Sequence, residues 1–535
     1  MSGQSLYGEN TFKANILENL TTGMYQDSKV IYREYIQNAC DSVDMAVHSH
    51  VLPDLKAGKI EIWIDRDTRT ITIEDNGTGI PSTEFITMLT TIGGSLKQFD
   101  QNKGFRGMGR LCGLGYCTKL VFTSSAKGEK KESILTCDAL TMRNMINDHN
   151  THDKDYTALE VLRATTEFDT RNTTEMDSHF FKVELIGISE DNKDLLDKPQ
   201  VKDYLAFVAP VPYRNKFEPM RSKIRNHAIS LGQAIDEYNV TFDGETVYKE
   251  YTSLVSTSKG DDEITDVDFY DFKDENGNLI AWLWFGLTKF QAVLKKDNKQ
   301  RGLRLRKENI QVGNEDALQK LFTEDRGQHY FVGEVFAVDK GLVPNSQRDY
   351  FNESHSRTVF ERLLRAYFNV NLSKIYKEGS NINAAIADIE KANSLSQQIA
   401  SAQSKGETIA PELQQKYALA AQKAEKKQQE LTKIKEKVSQ KIETGDFQPA
   451  EMVINRIIER VDKPTHHNPV EVHVTPEHKL TVSTQPPETK LNVAPLTAAK
   501  PPKLVSVDKV KEIIRSNASG ELADLLIAKI EEATK

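Results

Sequence analysis

No stretch of this 535-residue sequence approaches the roughly 20 consecutive apolar residues that a membrane helix needs. The first residues, MSGQSLYGENTFK, also lack a charged-then-apolar leader. Both absences point to a cytoplasmic protein without a membrane partner. Cysteine is scarce: Cys40, Cys112, Cys117 and Cys137 are the whole set, and none forms a CxxC pair. That argues against a disulfide framework or structural zinc and in favour of small core residues. Positive charge is not in excess. The formal net charge is -8, so a global drive toward nucleic acid is missing, while a local basic patch stays open. Aromatic residues all but vanish over 380–462, which leaves little there for single-stranded bases to stack on.

The length suits about three domains, and the pattern divides the chain into five parts. Over 11–50, Ile16, Leu20, Val30, Ile31, Tyr35, Ile36 and Val43 recur at helical spacing. Residues 59–65 (KIEIWID) and 70–75 (TITIED) alternate as half-buried strands do, with a turn over 66–69; 120–124 and 180–186 read as further strands. This is an α+β sandwich, helices on one face of a mixed sheet, over 1–212. A second α/β block covers 213–378, with strands expected at 238–242, 280–285, 302–306 and 330–338 and helices at 315–321 and 356–377. Residues 379–462 are rich in Ala, Gln, Lys and Glu with sparse apolar positions, as in a helical hairpin or coiled-coil arm turning over 406–411. The segment 463–505 holds eight prolines and reads as an extended linker. From 506 to 535 Val510, Ile513, Ile514, Leu522, Leu525, Leu526 and Ile530 mark a small amphipathic helical element, expected to mediate association.

Three segments carry candidate chemistry. In REYIQNACD (33–41), Glu34, Asn38 and Asp41 stand at i, i+4 and i+7 and so share one face of a helix. Three polar groups on a face that should pack need a polar partner, because their desolvation otherwise costs about 2–7 kcal/mol each; a metal-bound nucleotide would supply one. In IEDNGTGI (73–80), Asp75 ends a strand and can accept a hydrogen bond from an exocyclic amine, while Gly77 and Gly79 permit close approach of a ligand. In GFRGMGR (104–110), Gly104, Gly107 and Gly109 form a loop opening a helix, whose free N–H groups favour phosphate. The polar, glycine-bearing stretch 90–103 between them reads as a mobile lid. Each piece alone matches many unrelated turns; the order, spacing and structural context agree on a nucleotide.

These segments resemble the GHKL ATPase fold shared by the ninety-kilodalton heat-shock chaperones, MutL, gyrase B subunits and MORC proteins. The run FKANILENLTTGMYQDSKVIYREYIQNACDSVD (12–44) is most similar to the heat-shock chaperone version, and TTIGGSLK (90–97) resembles that family's entry to the lid. The resemblance implies ATP and Mg2+ as ligands. Glu34 would be the general base, Asn38 a magnesium ligand, Asp75 the adenine anchor and Asp41 a support. Gly79 would approach the base, with Gly77 beside it. Ser95, Lys97, Gly104, Gly107, Met108 and Gly109 would complete the nucleotide contacts. The second block resembles the family's transducer domain, through RGLRLRKENIQVG (301–313) and PNSQRDYF (344–351). There Arg348, supported by Gln347, would send a cation to the terminal phosphate, with Lys289 as a weaker choice. Arg33 would orient Glu34 or contact the second block. The chaperones' own dimerisation domain has no recognisable counterpart here, and the lid glycines are arranged differently.

The implied function is an ATP-hydrolysing clamp, a homodimer closed at its N-terminus by ATP, acting on a protein client or on DNA. The basic runs 295–301 and 423–441 are the candidates for DNA contact, although Glu425, Glu430 and Glu436 make the second read more as a solvated helix face. An ATP-switched scaffold with little hydrolysis is the alternative. A histidine kinase is disfavoured, since His48 and His50 follow the motif helix and no transducer block is expected there.

Overall fold

The computed structural model describes residues 13–21, 27–91, 109–151, 156–406, 408–445, 447–462 and Ile527. Alternation sets its first sheet. In β1 (Ile60–Asp65) and β2 (Thr70–Asp75), Ile60, Ile62, Ile64, Ile71 and Ile73 are buried, while Glu61, Trp63, Thr72 and Glu74 line the half-buried opposite face. Six further strands are β3 (Lys119–Ser125), β4 (Lys131–Asp138), β5 (Thr166–Asn172), β6 (Phe180–Ile186), β7 (Val240–Phe242) and β8 (Glu245–Thr246). The order is β5-β4-β3-β6-β2-β1-β7-β8, antiparallel except for the β1/β7 pair. Segment 238–242 stands in the second block by sequence order, yet β7 joins the first sheet.

Helices cover the apolar face: α1 (Asn15–Thr21), α2 (Val30–His48), α3 (Phe85–Thr90), α4 (Ala139–Thr151), α5 (Ala158–Thr165) and α6 (Lys198–Val208). The 11–50 segment thus holds two helices among its described residues, not one. All four cysteines are buried, and each belongs to this core.

The second sheet lies beyond α7 (Met220–Ser230) and the hairpin β9 (Leu254–Thr257)/β10 (Gly260–Glu263). It is built from β11 (Asp266–Lys273), β12 (Leu279–Leu287), β13 (Gly302–Lys307), β14 (Ile310–Gln311) and β15 (Val332–Ala337), in the order β11-β12-β15-β13-β14. Strand β12 is buried on both faces, so it reads as a continuous apolar run. Its Leu283 and Phe285 join one core and Trp282 and Trp284 the other. The helix expected at 315–321 is only a 3-10 turn, Gln319–Leu321, since so short a segment cannot repay helix nucleation.

From His355 the chain stays helical to Ser404: α8 (His355–Tyr367), a π turn (Phe368–Leu372) and α9 (Ser373–Ser404). The helix expected at 356–377 therefore runs on without a break. Helices α10 (Pro411–Glu443) and α11 (Pro449–Asp462) follow. Lys423 Nζ meets Asp388 Oδ1 at 2.9 Å, and Lys374 and Lys441 both pair with Glu451, which fixes α10 antiparallel to α9. Burial alone would raise the Glu451 carboxyl, but the hydrogen bonds from these two lysines and the Lys374 charge outweigh it and hold the group at about 2. No helix among the described residues is long and apolar enough to cross a membrane. The linker 463–505 and, apart from Ile527, the element at 506–535 lie outside the described residues.

Candidate functional site

Helix α2 carries Glu34 (4% exposed) and Asp41 (1%) buried on one face, with Asn38 half-buried between them. Asp75 ends β2 at 3% exposure, and its Oδ1 accepts a hydrogen bond from Gly77 N at 2.9 Å. The turn after it is held on every side. A Cβ at Gly77 would fall 2.0 Å from Ser42 Oγ on α2, and one at Gly79, whose φ is +64°, would fall 1.9 Å from the Ser125 carbonyl oxygen. Ile80 N donates to Ser124 Oγ (2.8 Å), Ser124 Oγ donates to the Phe180 carbonyl (2.8 Å), and His179 Nδ1 lies 2.7 Å from the Gly77 carbonyl. Packing alone therefore demands glycine at 77 and 79. Gly79→Ala should cost about 1–3 kcal/mol of stability, read from a urea midpoint, because both its φ and its backbone neighbour oppose a side chain.

Gly109 packs against Glu34: a Cβ there would fall 2.5 Å from Glu34 Oε2. It opens a 3-10 turn, Gly109–Gly115, in place of the α-helix expected after the glycine-rich loop. Ser95, Lys97, Gly104, Gly107 and Met108 lie outside the described residues. The two chain ends flanking 92–108 are tied together by Arg110, whose Nε donates to the Leu89 carbonyl (3.1 Å) and whose Nη2 donates to that of Thr91. Burial pulls its guanidinium down to about 10. The neighbouring Cys112 thiol is pushed well up by burial and by Glu34, so it stays protonated.

The last component comes from the second block. The loop between Pro344 and Phe351, whose ends bridge antiparallel, puts Arg348 in a left-handed conformation (φ +54°). Its Nε lies 2.6 Å from Glu34 Oε1, an ion pair without an aligned hydrogen bond. Arg33 Nη1 donates to the Arg348 carbonyl (3.1 Å) and Nη2 to the Gln347 carbonyl (3.2 Å), while Arg33 Nε sits 3.8 Å from Glu34 Oε1. Gly313 N also donates to the Arg348 carbonyl (2.8 Å), so the strained residue is pinned from both sides. Arg33 thus touches Glu34 and the second block at once. Gln347 serves through its backbone, and its side chain is exposed. The backbone of Lys289 is held instead by Asp262 and by Asn383 of α9.

Sequence reasoning missed the cluster behind this loop. Glu334 of β15 is fully buried. Its carboxylate accepts from Arg306 Nε, Tyr213 Oη, Tyr251 Oη (3.2 Å), Trp284 Nε1 (3.2 Å) and Lys249 Nζ (3.3 Å). The Arg306 and Lys249 cations and these donors outweigh desolvation and hold Glu334 at about 2. Burial, reinforced by the Arg306 charge, lowers Lys249 to about 7. Arg306 also donates to the Phe207 carbonyl of α6 (2.8 Å), so the cluster fastens the two sheets' surroundings together. The available signal was a lone Glu in the apolar run 331–338 and two arginines alternating with leucines over 303–306.

Residues 28–173 match the family described as histidine kinase-, DNA gyrase B- and HSP90-like ATPases. The chaperone protein HtpG of Shigella dysenteriae serotype 1 (strain Sd197) is 32% identical over 151 residues, covering 25% of this chain and 24% of that protein. HtpG of Escherichia coli (strain K12) is 31% identical over 151 residues, with the same coverage, 25% and 24%. The chain thus spans about a quarter of the length of the curated relatives it matches. With the mixed sheet and its helical layer, residues 28–173 are thus similar to the GHKL-type ATPase domains, including that of the heat-shock chaperones.

Proposed function

We propose that the chain binds ATP with magnesium in the pocket bounded by Glu34, Asn38, Asp41, Asp75, Gly77, Gly79 and Gly109 and hydrolyses it. In this reading Glu34 takes a proton from the attacking water as the new P–O bond forms and the bond between the β-phosphate's bridging oxygen and the γ-phosphorus breaks, giving ADP and phosphate. Arg348 offsets charge on the departing phosphoryl group. Its two Nη groups make no hydrogen bond to a described residue, so they can reach a phosphate while Nε stays on Glu34. Asp75 anchors the adenine amine. An amide oxygen flanked by carboxylates at i-4 and i+3 on one helix face is a donor set that suits magnesium, with Asn38 its ligand. The ion supplies charge neutralisation at the phosphates.

The observation that supports this most is the 2.6 Å contact between Glu34 and Arg348, two residues 314 positions apart that the family resemblance assigns separately to the base and to the cation at the terminal phosphate. We extend it to a clamp: ATP closes the lid expected over 90–103 and pairs two N-terminal regions, the second block acts as transducer, and the cargo is a protein. The ATP-switched scaffold is the second reading, favoured by Glu34 Oε1 already being engaged by a guanidinium. Light scattering without nucleotide, with ADP and with a non-hydrolysable ATP analogue tests the clamp. The analogue alone should double the mass of the parent and leave Asp75→Asn unchanged; an analogue that binds without changing the mass defeats the gating.

A further inference from the structure

Between the start of α2 and α6 on one side and the second sheet on the other lies a cleft of about 830 Å³. It is not the nucleotide pocket: Asn38, Asp41, Asp75, Gly77, Gly79 and Gly109 are all absent from its lining, and only Arg33 and Arg348 face both. Its volume falls in the range of small-ligand sites. Seven cationic side chains stand in its walls against five acidic ones.

The floor is Arg304, at 6% exposure. Its Nη1 donates to Gln311 Oε1 (2.9 Å), its Nη2 to the Lys299 carbonyl (2.5 Å), and its guanidinium lies 4.2 Å over the Phe207 ring. Its Nε has no partner, and no described carboxylate lies within ion-pair distance. Arg306, two residues along the same strand, is the internal contrast: its guanidinium meets the Glu334 carboxylate and two backbone carbonyls. A buried cation without a paired carboxylate costs several kcal/mol, and an anion in the cleft would offset that cost for Arg304. Arg33 Nε, buried in the opposite wall, also lacks a hydrogen bond. Above Arg304, Arg301 is half-buried and Lys296 exposed, and neither makes an ion pair with a described residue. Of the acids, Asp203 is taken by Lys299, Asp27 lies 3.3 Å from Lys29 Nζ, and Asp349 accepts from Asn345. Glu315 acts on Arg304 only beyond ion-pair range, and Asp297 is exposed at the rim.

We propose that this cleft binds a small phosphorylated ligand, with Arg304 and Arg301 as its anchors. Guanidinium forks match the oxygens of a phosphate better than an ammonium does, and Tyr204, half-buried in the first-domain wall, offers a ring edge to an organic moiety. The ligand is a free pyrophosphate or the phosphate of a nucleotide. Because the walls come from both sides and Arg33 also holds the Gln347 and Arg348 carbonyls, occupancy fixes the Arg348 loop against α2. The binding claim does not depend on ATP hydrolysis.

The test is isothermal titration of full-length Asp75→Asn protein, whose adenine anchor is removed, with pyrophosphate and separately with AMP. One site per chain is expected. It should weaken at least 10-fold in Arg304→Gln and in the surface double variant Lys296→Glu/Arg301→Glu, which keeps the question open to refutation if the buried variant does not fold. AMP at least 10-fold tighter than pyrophosphate identifies a nucleotide; equal affinities identify the phosphate itself. Absence of binding by both ligands, or binding indifferent to the surface double variant, overturns the proposal. A parent protein that binds no ATP but retains this site would sink the ATPase reading and leave this one standing.

Discussion

Glu34→Ala should lower single-turnover phosphate release by about 100- to 10,000-fold, the span that general-base removal produces, while ATP binding stays within a few-fold of the parent. The expectation rests on what Glu34 can reach. Its carboxylate is 4% exposed on a rigid helix, with Oε2 turned toward Gly109 and Oε1 held by Arg348. Removing it also leaves the Arg33 and Arg348 cations facing one another without a counter-charge, which would loosen the second block. Glu34→Gln separates the two effects, since it keeps the shape and an acceptor oxygen but cannot take a proton. Slow release in both variants assigns the base. Slow release in Ala alone makes Glu34 a positioning residue, and unchanged release in both removes it from the chemistry.

Glu334→Gln should destabilise the second block by about 3–5 kcal/mol, the usual cost of breaking a buried ion pair from one side. The substitution leaves Arg306 and Lys249, each 0% exposed, without their carboxylate, and an amide cannot accept all of its five former donors. Urea unfolding followed by the fluorescence of Trp282 and Trp284, both in this core, reports it. A loss below about 1 kcal/mol would show that the hub is replaceable. The pH dependence follows from the same cluster. Glu334 titrates at about 2 when folded and near 4.5 when not, so its stabilisation is complete above the unfolded value and fades as pH falls toward 2. Lys249, held at about 7, binds its proton less readily folded than unfolded, so stability also rises with pH from 7 toward the ordinary lysine value. The Gln variant should lose the acid step and keep the alkaline one.

The strands over 59–75 were legible because a two-residue alternation names the buried face, and the placing of Glu34, Asn38 and Asp41 on one face of α2 followed from helical spacing alone. The position of Arg348 came from a resemblance; the strained conformation and the two donors on its carbonyl could not be read from the sequence, because they involve Gly313 and Arg33. Strand β7 was misplaced because three residues carry no periodicity and its partner, β1, is about 180 positions away. The Glu334 hub escaped for a related reason: a charge in an apolar run looks like an error until its partners, supplied by β12, β13 and segments near 213 and 249, are brought together by the sheet. The glycines at 77 and 79 were selected for a ligand's sake, and the structure supplies a sufficient reason in packing.

The unbroken helical path from His355 to Ser404 has a mechanical consequence. Its first residue follows directly on Ser354, the N-cap, three positions past the end of the loop that holds Arg348. At 1.5 Å per residue, α9 alone is a rod about 48 Å long, so a tilt of about 5° at its root sweeps the far end through about 4 Å. Asn371, in the π turn, accepts a hydrogen bond from Ala450 N, which ties the pivot to the start of α11 and lets the hairpin swing as one piece. A tilt of about 5° at the root and a shift of about 4 Å at the far turn are the same rotation seen from the two ends of one lever.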